Sequence, residues 1–185
     1  MATNPRYDPE RRDRIIDACL EVIAERGVAG TTHRRVAEAA GVPLGSMTYH
    51  FDGMDALLRE AFTRFSHSIA EGFEVRLGHD MTREQAKDAV VDLIQHDVFA
   101  GHRELVLSHE LYTLAARDER YRELTSAWMA RSRVVLERHF DPATARLLDA
   151  TIEGISIHSA LDVAPLDRAV IREAVDRIVG SPPEG

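Results

Sequence analysis

Hydrophobic side chains recur at intervals of three and four residues along most of this chain, which is the spacing of amphipathic α-helices. Glycine and proline fall mainly between the periodic stretches, and the alternation typical of β-strands is scarce. The clearest apolar stripe consists of Leu58, Ala61, Phe62, Phe65, Ile69 and Phe73. The pattern predicts an all-α protein of about nine helices.

Residues that cap helix termini mark where several of these helices begin. Thr82 and Gln85 form the pattern of a capping box, in which each side chain binds a backbone N–H of the first turn. Asp52 and Asp55 form an acidic variant of this pattern ahead of a long helix. Further helix starts are predicted near Gly101 and at Asp118, Asp141 and Asp167.

Residues 31–51 predict two short helices separated by a turn at residues 41–43, the arrangement of a helix-turn-helix. Small and apolar residues such as Val36 and Met47 would pack this pair against the first helix. The side chains near the start of the second short helix are small, so base edges could come close to them. The side chains further along this helix can form hydrogen bonds. The pattern alone also fits an ordinary helix pair with a solvated polar face. The positions of the second helix predicted to face outward are Leu44, Gly45, Ser46, Thr48, Tyr49 and His50.

Net charge initially argues against DNA, because 23 basic and 31 acidic residues give the chain a charge of −8. Residues 1–51, however, carry seven arginines and seven carboxylates, so the whole acidic excess belongs to residues 52–185. Within residues 31–50 only Glu38 opposes Arg34 and Arg35. The N-termini of the predicted helices also present N–H groups that suit phosphate oxygens. Local charge is therefore compatible with DNA binding.

Composition and motif content narrow the remaining possibilities. One cysteine rules out an internal disulfide framework, and Cys19 lies on the apolar face of the first helix, where we expect it to be buried. The N-terminus has no signal-peptide pattern, and no stretch is apolar enough to span a membrane, so we expect a cytoplasmic protein without a membrane partner. The motifs of nucleophilic, phosphate-binding, redox and zinc enzymes are missing, so we predict no enzyme, no cofactor and no metal site.

Residues 10–60 resemble the DNA-binding domain of the TetR family of transcriptional regulators. The resemblance rests on RIIDACLEVIAERG, then TTHRRVAEAAGV, then a short helix ending in Tyr-His-Phe, then a new helix containing ALL. It implies a helix-turn-helix DNA-binding domain at residues 1–52, an effector-binding and dimerisation domain at residues 53–180, and a frayed tail at residues 181–185. It implies a ligand-responsive regulator, with a repressor expected and an activator of the same family as the alternative.

In this family, phosphate contacts come from the start of the second helix and from the aromatic residue and histidine that close the third, here Thr32, Tyr49 and His50. Base contacts come from the start of the third helix and sometimes from the second. Two positions depart from the family pattern, because Thr48 stands where tyrosine is usual and Met54 where a phosphate-binding lysine is frequent. The residues expected to contact DNA are Thr32, Arg34, Arg35, Leu44, Gly45, Ser46, Thr48, Tyr49 and His50.

The resemblance also implies a homodimer on a roughly palindromic double-stranded DNA operator, with the two recognition helices in successive major grooves about 34 Å apart. The last two predicted helices, about 142–163 and 166–179, are the expected dimer interface. The same side chains could equally belong to the core of one chain. The candidate interface residues are Leu147, Ile152, Gly154, Ile155, Leu161, Val170, Ala174 and Ile178.

A small-molecule effector is implied as well, bound in a cavity beside the long fourth helix. Seven of the nine histidines lie in this part of the chain, but none has the spacing of a di-iron or zinc-protease motif. The candidate apolar wall consists of Phe62, Phe65, Ile69, Leu93, Tyr112, Trp128 and Met129. The candidate polar groups are His96, Glu110, Arg131 and His158.

Overall fold

The structure, a computed structural model, describes residues 8–97 and 101–180 of the chain. Within these residues the chain forms nine α-helices and no β-strand, which confirms the predicted fold class. The predicted tail at residues 181–185 lies outside the described residues. The helices are α1 (Arg11–Gly30), α2 (His33–Ala39), α3 (Gly45–His50), α4 (Gly53–Arg76), α5 (Arg83–Asp92), α6 (His102–Ala115), α7 (Glu119–Leu136), α8 (Pro142–Leu161) and α9 (Arg168–Val179), with one turn of π-helix at Leu93–Asp97. None of the described helices is both long and apolar enough to cross a bilayer.

At most of the predicted helix starts, the expected side chain caps the helix through a hydrogen bond with a backbone N–H. The Thr82 hydroxyl accepts a hydrogen bond from the Gln85 N–H at 3.3 Å, and the Gln85 side chain accepts one from the Thr82 N–H at 2.8 Å. Asp118, Asp141 and Asp167 each accept backbone N–H groups at the start of α7, α8 and α9. The acidic capping box of α4 is wrong, because Asp52 makes no side-chain cap.

The carboxylate of Asp55 instead joins α4 to α7. It accepts a hydrogen bond from the Tyr121 hydroxyl at 3.1 Å and an ion pair from the Arg120 guanidinium at 2.8 Å. A charged partner on a neighbouring helix is a stronger hydrogen-bond donor than the N–H of its own first turn. Asp55 therefore fixes the start of α4 against α7 rather than capping α4.

A first apolar core joins α1, α2 and α3 to the middle of the molecule. It contains side chains from α1, α2 and α3 together with side chains from α4, α6 and α7. Cys19 is fully buried in it, and burial raises the pKa of its thiol to about 12. Because interiors are close-packed, a displacement of α4, α6 or α7 reaches the helix-turn-helix through this core.

Ion pairs at the surface add a second connection between α4 and α1. Arg64 of α4 pairs with Asp13 and, at 2.7 Å, with Asp17. Arg12 of α1 pairs with Glu60 at 2.5 Å, and its guanidinium lies 5.0 Å from the centre of the ring of Phe51, which follows α3. Exposed pairs of this kind contribute at most about 1 kcal/mol each, so they orient α4 rather than hold the fold together.

A second apolar core holds α5, α8 and α9 against the ends of α4 and α7. Lys87, the only lysine of the chain, is buried on α5 and pairs with Glu84 at 2.7 Å and with Asp176 of α9 at 2.9 Å. Arg172 of α9 reaches Glu84 and Asp88 of α5. One side of α9 is therefore occupied by α5.

Candidate DNA-binding surface and ligand cavity

The helix-turn-helix is formed by α2 and α3. The Thr32 hydroxyl accepts a hydrogen bond from the Arg35 N–H at 3.3 Å and thereby caps the start of α2. Gly41 in the turn has a φ of +64°, in the left-handed region that favours glycine. Val42 then donates to the carbonyl of Ala37 at 2.9 Å, and the fully buried Met47 anchors α3 in the first core.

Most of the outer face of α3 is open to solvent. Tyr49 is 83% exposed, and its ring meets that of His50 edge to face with centres 4.9 Å apart. Leu44 and Thr48 are exposed as well, although the Thr48 hydroxyl donates to the carbonyl of Gly45. A side chain added at Gly45 would meet nothing within 4 Å. These residues lie where a DNA contact requires them, and the contact itself stays a prediction.

Ser46 does not face outward, so its predicted orientation is wrong. Its exposed fraction is only 8%, because the packing of Met47 into the core turns Ser46 toward the interior as well. The helix begins at Gly45, two residues after Pro43, and this delay shifts which side chains lie on the outer face. Any base contact from α3 is therefore expected from the residues beside Ser46.

The two arginines of α2 have different surroundings. The Arg35 guanidinium donates to the carbonyl of Gly30 at 2.5 Å and so closes the C-terminal end of α1. Arg34 is exposed and makes no hydrogen bond or ion pair with the residues that the structure describes. Arg34 is therefore the arginine whose charge is available to DNA.

A small cavity of about 20 Å³ lies between α4, α6, α7 and α8. It has room for about one water molecule. Four residues of the predicted apolar wall line it, namely Ile69, Tyr112, Trp128 and Met129. The sequence analysis missed Phe73, Ser132, Asp149 and Glu153, and it assigned the ninth lining residue, Ile152, to the dimer interface.

The other three apolar candidates belong to the cores and do not line the cavity. Phe62 and Phe65 are buried in the first core, where their rings meet those of Tyr121 and Trp128 edge to face. Leu93 is buried in the second core. An apolar stripe on α4 contains both kinds of position, and only the packing of its neighbours separates them.

None of the four predicted polar groups lines the cavity. His96 and His158 are exposed, and Arg131 lies 3.7 Å from Glu74 of α4. Glu110 packs against α1, with a carboxylate oxygen 2.5 Å from where a Cβ of Gly27 would stand. Among the residues described, no cluster of three or more His, Cys, Asp or Glu side chains could hold a metal ion.

The polar groups of the cavity are two carboxylates of α8 placed one helical turn apart. Asp149 lies 3.3 Å from the Arg133 guanidinium of α7, and Glu153 lies within hydrogen-bonding range of the Tyr112 hydroxyl. Burial raises the pKa of Asp149 to about 6; Arg133 opposes the rise and the Glu153 carboxylate adds to it. Burial, followed by the nearby Glu153, also raises the pKa of Tyr112. Acidic residues spaced by four beside Ile152 were the sequence signal for this site.

The free energy of unfolding should fall between pH 5 and pH 7 because Asp149 loses its proton over this range. A carboxyl whose pKa rises from 3.8 to about 6 on folding holds its proton more tightly in the folded chain, so folding is favoured at low pH and loses this contribution as the pH rises toward 6. Between pH 5 and pH 7 the wild type should lose about 1 kcal/mol relative to Asp149→Asn. Urea unfolding of both proteins at the two pH values measures this difference, and parallel pH profiles would contradict it.

The outer sides of α8 and α9 carry exposed apolar residues, as a dimer interface requires. Leu161 is 65% exposed and Val170 45%, and Leu147 is exposed as well. Ile152 is wrong as an interface residue, because it is buried between the cavity and the second core. The remaining candidates are half-buried, with open space beside Gly154; they are Gly154, Ile155, Ala174 and Ile178. The sequence analysis missed two exposed residues between the helices, Val163 and Leu166.

Comparison with known families matches both parts of the chain. Residues 15–61 match the family described as bacterial regulatory proteins, tetR family. Residues 81–181 match the family described as tetracyclin repressor-like, C-terminal domain. The two matches together cover the helix-turn-helix, the cavity walls from α6, α7 and α8, and the exposed face of α8 and α9, while the part of α4 that lines the cavity lies between them.

Individual proteins resemble the chain over most of its length. The crystal structure of SCO7518 from Streptomyces coelicolor A3(2) has 55% identity and a TM-score of 0.88, and the match covers 94% of this chain and 100% of that one. The multidrug binding protein EbrR, in a structure with ethidium, has 31% identity and a TM-score of 0.76 over 93% and 100% of the two chains. The transcriptional repressor KstR2 of Rhodococcus jostii is 24% identical over 83% of this chain and 71% of its own.

Proposed function

Because the chain belongs to the TetR family of transcriptional regulators, we propose that it is a repressor that binds a roughly palindromic operator as a homodimer and is released by a small molecule. The observation that carries this proposal is the exposed outer face of α3, with Tyr49, Leu44 and an unobstructed Gly45, next to Arg34, which has no partner among the described residues. An otherwise acidic chain concentrates its DNA-compatible surface there.

The DNA contacts divide by chemistry into two groups. Tyr49 and His50 at the end of α3, with Thr32 at the start of α2, suit phosphate oxygens and so fix the position of the protein. Arg34, Leu44 and Gly45 suit base edges, because a guanidinium donates to guanine and small side chains allow close approach. The acidic remainder of the chain disfavours other contacts with phosphate.

This division predicts different effects for two substitutions. Tyr49→Phe removes one hydrogen bond to phosphate and should weaken binding to all sequences by about fivefold. Arg34→Ala should cost about 1–3 kcal/mol on the preferred sequence and reduce discrimination among sequences. Fluorescence anisotropy with the operator and with scrambled duplexes measures both effects. Arg138→Ala, at an exposed arginine in the turn that follows α7, is the control. Equal loss of discrimination by Tyr49→Phe and Arg34→Ala would contradict the division.

The small molecule that releases the protein from DNA would bind in the narrow cavity between α4, α6, α7 and α8. Drug-sized ligands occupy roughly 300 Å³ or more, so such a ligand has to separate the cavity walls from their present 20 Å³. Ile69 and Phe73 of α4 form part of these walls, and Arg64 on the same helix pairs with α1. Displacement of α4 would then change the spacing of the two recognition helices. EbrR, a structural relative, has been crystallised with ethidium, malachite green and proflavin.

The test is a mobility-shift assay with DNA from around the gene that encodes the chain. We expect a complex that prefers one sequence, weakens steeply with salt and dissociates when a cavity ligand is added. Binding that is equally strong on scrambled DNA would contradict the proposed function. A sequence-preferring complex that no cavity ligand dissociates would contradict only the release step.

A further inference from the structure

The cavity between α4, α6, α7 and α8 contains more negative than positive groups. Asp149 and Glu153 of α8 face it, and the Arg133 guanidinium of α7 lies 3.3 Å from Asp149. Arg146 of α8 also lowers the pKa of Asp149, but more weakly than Arg133 does. The other walls are uncharged: Ile69 and Phe73 from α4, Tyr112 from α6, and Trp128, Met129 and Ser132 from α7. With both carboxyl groups ionised, the cavity lacks one positive charge.

We infer, on the premise that this cavity is the effector site, that its ligand is an aromatic organic cation and that at acidic pH one proton leaves the Asp149–Glu153 pair as the cation enters.

The positive charge of the ligand follows from the cost of burying carboxylates. An ionised carboxylate that loses water needs a partner of opposite charge, and Arg133 supplies a partner for only one of the two. A neutral ligand would displace water and leave the second carboxylate unpaired. An anionic ligand would add a further negative charge. A cation is the ligand that balances the cavity.

The aromatic character of the ligand follows from the rings of the wall. Tyr112 and Trp128 are parallel to within 5°, with centres 5.8 Å apart. The two rings stack on each other, so a flat ligand ring would have to extend or part this stack, and a cation on the ring faces gains further attraction from the π-electrons. Stacking and charge pairing therefore favour the same ligand, a flat ring system that carries a positive charge.

The proton release follows from the state of Asp149 before the ligand arrives. Because burial raises the pKa of Asp149 to about 6, this carboxyl group is largely protonated at pH 5 and largely ionised at pH 7.5. When it is protonated, Glu153 and Arg133 already balance each other, and an entering cation has to expel the proton to be balanced itself. The cation therefore competes with a proton, and its affinity rises with pH.

The fluorescence of Trp128 can report ligand binding in the cavity, because Trp128 is the only tryptophan of the chain and lies in the cavity wall. Ethidium is titrated into the full protein at pH 5 and pH 7.5, without DNA because ethidium intercalates. Quenching of Trp128 fluorescence should give an affinity about tenfold higher at pH 7.5. The matched neutral probe is 3,8-diamino-6-phenylphenanthridine, which has the same rings without the fixed charge. It should bind about tenfold more weakly than ethidium at pH 7.5.

Two variants identify the carboxylates responsible. Glu153→Gln should weaken ethidium binding about tenfold at pH 7.5, and Asp149→Asn should remove the pH dependence. Glu123→Gln, which neutralises an exposed carboxylate of α7 outside the cavity, should change neither. Thermal unfolding monitored by helical circular dichroism verifies that each variant is folded. The comparison of the two probes uses the wild type and stands whatever the variants do.

Equal affinity for the two probes, affinity for ethidium that does not change with pH, or no quenching by either probe would overturn the inference. These outcomes leave the proposed DNA binding intact, since that arm of the mobility-shift assay is performed without any added ligand. Failure of that assay, in turn, leaves the fluorescence result standing as evidence for a cation-binding cavity.

Discussion

Replacing Leu161 and Val170 together by glutamate should produce a monomer whose affinity for the operator is at least about a hundredfold lower. Both side chains are exposed in the single chain, so charges there cost the isolated protomer little. In a dimer joined through α8 and α9 the same charges would be buried against apolar surface, which is strongly unfavourable. A monomer also loses the second half-site contact, and linked binding contributes factors of about 10² to 10⁴.

Sedimentation velocity and a mobility-shift titration measure the two parts of this prediction. Val75→Glu is the control, because Val75 is an even more exposed valine and belongs to α4 rather than to α8 or α9. The control should remain a dimer with unchanged DNA affinity. If the double variant sedimented as a dimer, α8 and α9 would not form the interface.

Replacing Gly45 by leucine should abolish specific DNA binding, with a loss of at least about a hundredfold, while the protein stays folded. A side chain at this position meets nothing within 4 Å in the protein. The leucine would therefore extend from the first residue of α3 into the space that a base edge must occupy. A hundredfold loss corresponds to about 2.7 kcal/mol, a modest cost for displacing a helix from its groove.

Gly72→Leu is the control for this substitution. Gly72 also lies in a helix, and a side chain added there likewise meets nothing within 4 Å. Leucine forms helices more readily than glycine, so neither variant should unfold at a lower temperature than the wild type. Tight operator binding by Gly45→Leu, measured by fluorescence anisotropy, would show that the start of α3 does not contact DNA.

The sequence pattern was most reliable where contacts are local. The capping box at Thr82, the N-caps at Asp118 and Asp141, and the turn at Gly41 each depend on residues within a few positions of one another, and all are present. The acidic capping box at Asp55 failed because its carboxylate found partners on α7, more than 60 positions away. A capping pattern read over a few neighbouring residues cannot predict a hydrogen-bond donor from a distant helix.

Ser46 shows the same limit on a smaller scale. Its polarity suggested an outward position, but the turn before α3 ends at Leu44 and sets the helix in a phase that buries it. A six-residue helix is too short for its hydrophobic periodicity to reveal that phase. The packing of Met47 into the core determines it instead.

The sequence by itself determined that the chain is all-helical, where most helices begin, and that residues 31–51 form two short helices around a turn, because these features follow from short-range periodicity and capping. Only the tertiary structure decided which apolar residues line a cavity and which fill a core, and that two carboxylates of α8, rather than histidines, provide its polar groups. The physical reason is that an apolar face looks the same along the chain whether it meets a close-packed neighbour, a cavity or solvent. The residues of α4, α6 and α7 that surround Asp149 and Glu153 lie between positions 69 and 133 of the sequence, and only folding brings them close to α8.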